Sequence, residues 1–411
     1  MKTGKSVQFN LASSLRAEGW STVRAVLCLV LCILGAGIVA MAQSPRIIEF
    51  DAPGAGSTPD SGFGTQGGDI NPEGAIVGMF SDTNNVMHGF VRTYHDRLTT
   101  FDAPGAGSVG NLYFKLTPAG VLGGQGTYPF SMNPEGTITG FYFDENTVGH
   151  GFVRTYDGRF TSFDDPDAGT ISPQVTAALN INSARVIAGN YFDANSVRHG
   201  FVRTPDGKFT NFDPPDSVFS FVCVAMCLNQ RGEITGDFLT NDGVSHGFVR
   251  APDGRITTFD VPGAGTDGSQ GQGTFVASIN AEGAATGSYT TGDNVNHGFM
   301  RSPDGRIATF DVPGAGTDGS QAQGTYAEAI NAEGVVTGQY IDLNDVNHGF
   351  VRTPNGRFIY FDAPGAGSDP GSYEGTIPLA INAEGEITGA YIDSKWVLHA
   401  FVRFAGPAEC R

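Results

Sequence analysis

The sequence predicts an all-β fold, a seven-bladed β-propeller of four-stranded blades, and three observations predict it. One block recurs with unchanging internal spacing along almost the whole chain, which overrides the two or three domains that 411 residues would otherwise suggest. The composition, with 59 glycines, 30 phenylalanines and 16% charged residues, suits short strands joined by glycine turns. The chain also begins and ends out of phase with its own repeat. Arg46 to Asp51 reads as a lone outer strand, and Trp396 to Phe404 as a third strand lacking its fourth. A linear solenoid gains nothing from that offset, whereas a ring uses it to join its ends and leaves no bare sheet edge.

Each block is anchored by an asparagine: Asn71, Asn133, Asn182, Asn229, Asn280, Asn331 and Asn382, here numbered as units I to VII. A histidine follows each anchor by 17 positions (His88, His150, His199, His246, His297, His348, His399) and an arginine by 21 (Arg92, Arg154, Arg203, Arg250, Arg301, Arg352, Arg403). In the first six units a phenylalanine follows at 30, from Phe101 to Phe361. A feature copied in every unit points first to architecture rather than to one reaction.

Unit VI shows the elements in order. Gly324 to Ile330 alternates larger and smaller residues and predicts strand A; Asn331-Ala332-Glu333-Gly334 has the asparagine-first, glycine-fourth pattern of a type I turn. Val335 to Ile341 predicts strand B, Asp342 to Asp345 a polar tip, and Val346 to Thr353 strand C. Pro354-Asn355-Gly356 predicts a three-residue hairpin loop with glycine in the left-handed position, followed by strand D at Phe358 to Phe361. The Phe-Asp-x-Pro-Gly-Ala-Gly stretch leads on to the next strand A. Length variation collects there, including an 11-residue excess around Asn111 to Val121 that marks a surface loop.

The register of the hairpin predicts a recurring cross-strand pair. If Pro303-Asp304-Gly305 is the loop, His297 lies opposite Asp311. The same count pairs His88 with Asp102, His150 with Asp164, His199 with Asp213, His246 with Asp260 and His348 with Asp362. Beyond His399 no aspartate remains, so its partner is expected to be Asp51, on the lone strand at the other end of the chain. These are expected as structural hydrogen bonds. The tip residues Asp82, Asn84, Asp342 and Asn344 form an oxygen-rich pattern that could hold Ca²⁺ only weakly, since six to eight ligands are needed; ordinary Asx turns are expected instead, with no metal and no cofactor.

The N-terminus has its own signal. Four basic residues and Glu18 precede the apolar run Ala25 to Val39, and Ala40-Met41-Ala42 supplies a small-x-small cleavage pattern, so residues 1–42 are expected to be a signal peptide and 43–411 the single folded domain. The alternative is a retained anchor. The expected locations are secreted, periplasmic or cell-surface, with no membrane-spanning segment in the mature chain. The formal charge is −18, and without Lys2, Lys5, Arg16, Arg24 and Glu18 it becomes −21, which argues against nucleic acid as a partner. Cys223 and Cys227 fall in one expected strand, where a rise of about 3.3 Å per residue separates them by roughly 13 Å, beyond the ~7 Å limit for bridged Cα atoms. They are expected as unpaired core cysteines.

The tripeptide His-Gly-Phe in six units and His399-Ala400-Phe401 in the last follow an Ile-Asn-x-x-Gly and a Thr-Gly-x-Tyr pattern. They resemble the bacterial extracellular HAF repeat family. The resemblance covers residues 46 to 404 and implies export and a repeated β architecture, with no established activity. No nucleophile elbow, zinc-type histidine pair or phosphate-cradling glycine loop is present. The leading reading is therefore an exported, non-enzymatic binding or surface-structural protein. Its contacts would come from the D–A and B–C loops, with an extracellular carbohydrate or protein as ligand. The alternative is a hydrolase or lyase on extracellular polysaccharide, for which Glu374, Lys395, Asp267 and Lys115 are the symmetry-breaking candidates.

Overall fold

Alternation of small and large residues in the repeats produces sheets and almost nothing else. The computed structural model describes residues 46–59, 64–110, 114–115, 121–122, 124–223 and 226–406. Among them the only helical pieces are two 3₁₀ turns, Gly268–Gln270 and Gly319–Gln321. The expected signal peptide, residues 1–42, lies outside the described residues, as does most of the 111–121 excess apart from a pairing of Phe114–Lys115 with Val121–Leu122.

Four-stranded antiparallel units repeat along the chain. In unit VI, Gly324–Ile330, Val336–Ile341, Asn347–Arg352 and Phe358–Phe361 are strands A to D. Their register aligns Ile330 with Val336, Gly338 with Phe350, and Gly349 with Phe361. The Asn331 turn closes with Gly334 N–H donating to Asn331 O at 3.0 Å, and Gly356 has a φ of 86° in the C–D loop. In every unit but IV, strand A carries a bulge just before its anchor, at Glu328 in unit VI.

The tripeptide of strand C can be read as packing. Its phenylalanine is the core of each unit: Phe90, Phe152, Phe201, Phe248, Phe299, Phe350 and Phe401 are all 0% exposed. Its glycine lets the strand D phenylalanine lie flat on the backbone, since a Cβ on Gly298 would stand 2.6 Å from the Phe310 ring. Unit VII places Ala400 opposite Phe50, which comes from the start of the chain.

Neighbouring units are joined in three ways. At every junction except that of units III and IV, strand C bridges the start of the next strand A, as Asn296 does Gly324; Gly324 has φ 133°, and a Cβ there would meet the Asn296 carbonyl at 2.0 Å, so only glycine fits. Each repeat arginine lies over the strand D phenylalanine of the unit before it, from Arg92 over Phe50 at 4.8 Å to Arg403 over Phe361 at 4.7 Å. Arg154, Arg203, Arg250, Arg301 and Arg352 do likewise over Phe101, Phe163, Phe212, Phe259 and Phe310. Finally, anchor asparagines reach one another: Nδ2 of Asn133 donates to the carbonyl of Asn182, and so on through Asn229, Asn280, Asn331 and Asn382 to Asn71, at 3.0 to 3.2 Å.

The two ends of the repeat array pair with each other. Ile47–Phe50 runs antiparallel to Leu398–Arg403, with Ile47 opposite Arg403 and Phe50 opposite Ala400.

Unit IV departs from the pattern and corrects the cysteine expectation. Strand A there is Phe219–Val222, and Val222 pairs with Gly236 just as Ala327 pairs with Gly338 in unit VI. Between this point and the residue two before the anchor, unit VI has only Glu328, while unit IV has Cys223 to Met226, three residues more. The strand thus ends at Val222, and Met226, just before Cys227, has φ 54°, so the two cysteines do not continue one strand. The Cα atoms of Cys223 and Cys227 come within 5.8 Å and the two form a disulfide. The spacing argument failed because it assumed an extended chain between them.

Candidate functional site

The B–C tips and D–A loops emerge at one end of every sheet, and the repeat histidines stand beside them. Register puts three side chains in a row on that end. Strand B supplies an aromatic residue directly opposite the histidine of strand C, as Tyr340 is to His348, and the aspartate just past strand D flanks the histidine on the other side. The ring pairs are Phe80–His88, Tyr142–His150, Tyr191–His199, Phe238–His246, Tyr289–His297, Tyr340–His348 and Tyr391–His399, with centroids 4.9 to 5.4 Å apart.

On the far side Nδ1 meets a carboxylate oxygen in every unit. The distances are 2.9 Å for His88–Asp102 and His150–Asp164, and 2.7 Å for His199–Asp213, His246–Asp260 and His297–Asp311. They are 3.1 Å for His348–Asp362 and 2.9 Å for His399–Asp51. Nε2 looks toward the B–C tip, 3.6 to 3.9 Å from Asp82, Asp144, Asp193, Asp342 or Asp393, and in unit IV 3.2 Å from Thr240 Oγ1. The strand D hydrogen bond, working against burial, raises the imidazole pKa of His88, His150, His348 and His399. Each histidine keeps 20–25% of its side chain exposed, so the row forms a shallow station with one accessible edge.

The tip oxygens weighed for Ca²⁺ are engaged locally. Asp82 Oδ1 accepts the N–H groups of Asn84 and Val86, both at 2.8 Å, and its Oδ2 accepts Asn84 Nδ2 at 3.2 Å; Asp342 and Asn344 repeat this. Among the described residues no group of three or more His, Cys, Asp or Glu is arranged to hold a metal ion. Of the residues considered for hydrolysis, Asp267 caps a 3₁₀ turn through Ser269 N–H at 3.0 Å, Glu374 accepts Asp369 N–H at 3.2 Å, and Lys395 is exposed. The side chain of Lys115 lies outside the described residues.

Sequence reasoning missed a glutamine clamp. Gln125, Gln174, Gln272 and Gln323, buried at 1–4%, each stand eight residues before an anchor, with Glu374 in the same place in unit VII. Gln323 Oε1 accepts Asp318 N–H at 3.0 Å while its Nε2 donates to Asp345 Oδ1 at 2.7 Å, tying the D–A loop to the B–C tip. The fixed spacing was visible; the variable loops before it drew attention elsewhere.

At the opposite end the anchor turns converge on one cavity of about 380 Å³, lined by residues from every unit. Its wall mixes an aliphatic side chain from each unit, such as Ile279, Ile330 and Ile381, with the polar side chains of anchors such as Asn280, Asn331 and Asn382. The buried Asp69 carboxylate there accepts the N–H of Ile70 at 2.8 Å and of Met132 at 2.9 Å, and burial pushes its pKa up.

These features define a repeat protein of the β-propeller type with a His–Asp–aromatic station in each unit. No protein-family model matches the chain, and no curated protein matches it. Among solved structures it is similar to the BP39L lectin from Burkholderia pseudomallei, at TM-score 0.50 and 9% identity over 83% of this chain and 95% of that one. Weaker likenesses include a puromycin hydrolase, at TM-score 0.49 and 10% identity over 86% of this chain and 51% of that one. AofleA from Arthrobotrys oligospora gives TM-score 0.42 and 12% identity over 77% and 89%. Identities this low carry the fold and not the chemistry.

Proposed function

We propose that the chain is an exported carbohydrate-binding protein built as a closed seven-bladed propeller, with its ligand contacts on the face of the D–A and B–C loops. Closure is supported by the pairing of Ile47–Phe50 with Leu398–Arg403 and by the Asn382 to Asn71 hydrogen bond. Export is supported by the N-terminal sequence pattern, and among the described residues no helix is long and apolar enough to cross a membrane. The acidic surface makes nucleic acid a poor partner.

The observation that carries the binding reading is the station itself. An imidazole edge held by one carboxylate in every unit, with a second carboxylate at the tip in units I, II, III, VI and VII and an aromatic ring stacked behind it, supplies the oriented hydrogen-bonding groups that a polyol needs. Near-equivalent copies suit avidity for a repetitive ligand better than a single catalytic event. A glycan microarray on the full chain, followed by product analysis on any hit, tests it: retained, uncleaved glycan is the expected result. Release of shortened products would favour the polysaccharide hydrolase or lyase reading, and no glycan binding would remove the proposal.

A further inference from the structure

The stations are not equal, and the inequality is concentrated in unit VI. The third residue of strand D stands beside the strand B aromatic residue in each unit, and it is Thr100, Ser162, Asn211, Thr258 and Thr309 in units I to V, and Glu49 in unit VII. In unit VI alone it is aromatic: Tyr360, 47% exposed, edge-on to Tyr340 with centroids 6.0 Å apart.

This exchange changes what Tyr340 can do. The Tyr289 hydroxyl is hydrogen-bonded to Thr309, and the Tyr191 hydroxyl accepts from Asn211 Nδ2 at 3.3 Å. Tyr360 offers no such partner, and the Tyr340 hydroxyl makes no hydrogen bond among the described residues. Its ring also stays half-buried, where Tyr142, Tyr191, Tyr289 and Tyr391 are only 5–7% exposed. Unit VI therefore presents a half-exposed ring, a free phenol and an imidazole held between two carboxylates, His348 Nδ1 at 3.1 Å from Asp362 and Nε2 at 3.7 Å from Asp342.

We propose that this cluster is the principal sugar subsite of the protein and that it takes a neutral pyranose. Tyr360 would lie against the C–H face of the ring, Tyr340 would donate its hydroxyl proton to a sugar oxygen, and Asp362 or Asp342 would accept from sugar hydroxyls. Charge selects the class. The unit's repeat arginine, Arg352, is turned onto the Phe310 ring, and Arg357 sits in the C–D hairpin at the other end of the sheet, so within unit VI only the His348 imidazole is set against the two carboxylates and a uronate or sialate is disfavoured.

The inference rests on the carbohydrate reading above, and the test separates the two. The full chain and its Tyr360→Thr, Tyr340→Phe and Tyr156→Phe variants are screened on neutral and anionic glycan arrays, then titrated with the methyl glycoside of the strongest neutral hit. Tyr360→Thr, which installs the residue of units I, IV and V, is expected to weaken binding about tenfold with an unchanged melting temperature. Tyr340→Phe is expected to weaken it about fivefold, and Tyr156→Phe, in the exposed C–D hairpin of unit II at the other end of the sheets, not at all. Wild-type binding that survives Tyr360→Thr unchanged overturns the subsite and leaves the carbohydrate reading standing; preference for anionic glycans overturns the charge assignment; no binding by the wild type overturns both.

Discussion

His399 Nδ1 lies 2.9 Å from Asp51 Oδ2, although 348 residues separate them. The contact puts the first described strand in the position that strand D fills elsewhere, and it is accompanied by Phe50 packing edge-on against Phe90 at 5.9 Å and under Arg92. Removing residues 46–51 deletes this strand and uncovers the edge of Leu398–Arg403. The loss of Ile48 and Phe50 from their cluster with Phe90 and Val402 is expected to cost about 3–5 kcal/mol, read by urea unfolding, and to promote association through the bare edge. A truncated protein that melts with the intact one would rule this out.

The arginine staples predict a distinction between two cations. Arg352 lies 4.8 Å above the Phe310 centroid. Arg352→Lys keeps the charge but loses the flat guanidinium, so it should recover little of the roughly 1–2 kcal/mol expected to be lost in Arg352→Ala. Chemical denaturation of the two variants side by side gives the answer, and a lysine variant as stable as wild type would contradict it.

Oxidation state should be measurable in unit IV. A bridge between Cys223 and Cys227 closes a five-residue loop, for which chain entropy alone suggests about 2 kcal/mol. Intact mass should show both thiols blocked to alkylation without reductant, and the Cys223→Ser, Cys227→Ser double variant should melt lower. Free thiols in protein purified under oxidising conditions would contradict the bridge.

Stability should decline from mildly acidic to alkaline pH. His88, His150, His348 and His399 have raised folded-state pKa values, so what they contribute is complete below about 6.5 and is lost as pH climbs through those values. Glu328, on the bulge of strand A in unit VI beside Tyr326, is pushed by burial to about 7; its protonated form is favoured by folding, and that advantage also disappears as pH rises through about 7. Glu328→Gln is therefore expected to raise the melting temperature at pH 8 by on the order of 2 °C and to leave it unchanged at pH 4. Equal shifts at both pH values would exclude titration as the cause.

How far the sequence reaches depends on whether spacing is conserved between units. The strand D limits Phe358–Phe361, the Asn331 turn and the alignment of His348 with Asp362 all sit inside the invariant block, where hairpin geometry translates spacing directly into contact. Unit IV shows the opposite case. The 17 positions from Phe212 to Asn229 hide two changes of opposite sign, a shortened D–A loop and three extra residues between Val222 and Cys227, and a net count cannot separate them. The anchor asparagines read correctly as turn residues, since Asn331 Oδ1 accepts Val335 N–H at 2.9 Å, but the link from Nδ2 to the next unit is tertiary and leaves no mark on local spacing.

That run of asparagines also bears on where the repeat array can be opened. The step from Asn382 to Asn71 has the same direction and the same 3.2 Å length as the step from Asn331 to Asn382, yet only the second joins units adjacent in sequence. To these hydrogen bonds, the junction between the two ends of the repeat array is the same as a junction inside it. A circular permutant that fuses Phe404 to Arg46 through a short linker and opens the chain in the exposed Gly268–Gln270 segment would keep every asparagine contact. The order of the units in the sequence is then separable from the contacts between them, and a fused partner could be carried at whichever D–A loop a designer opens.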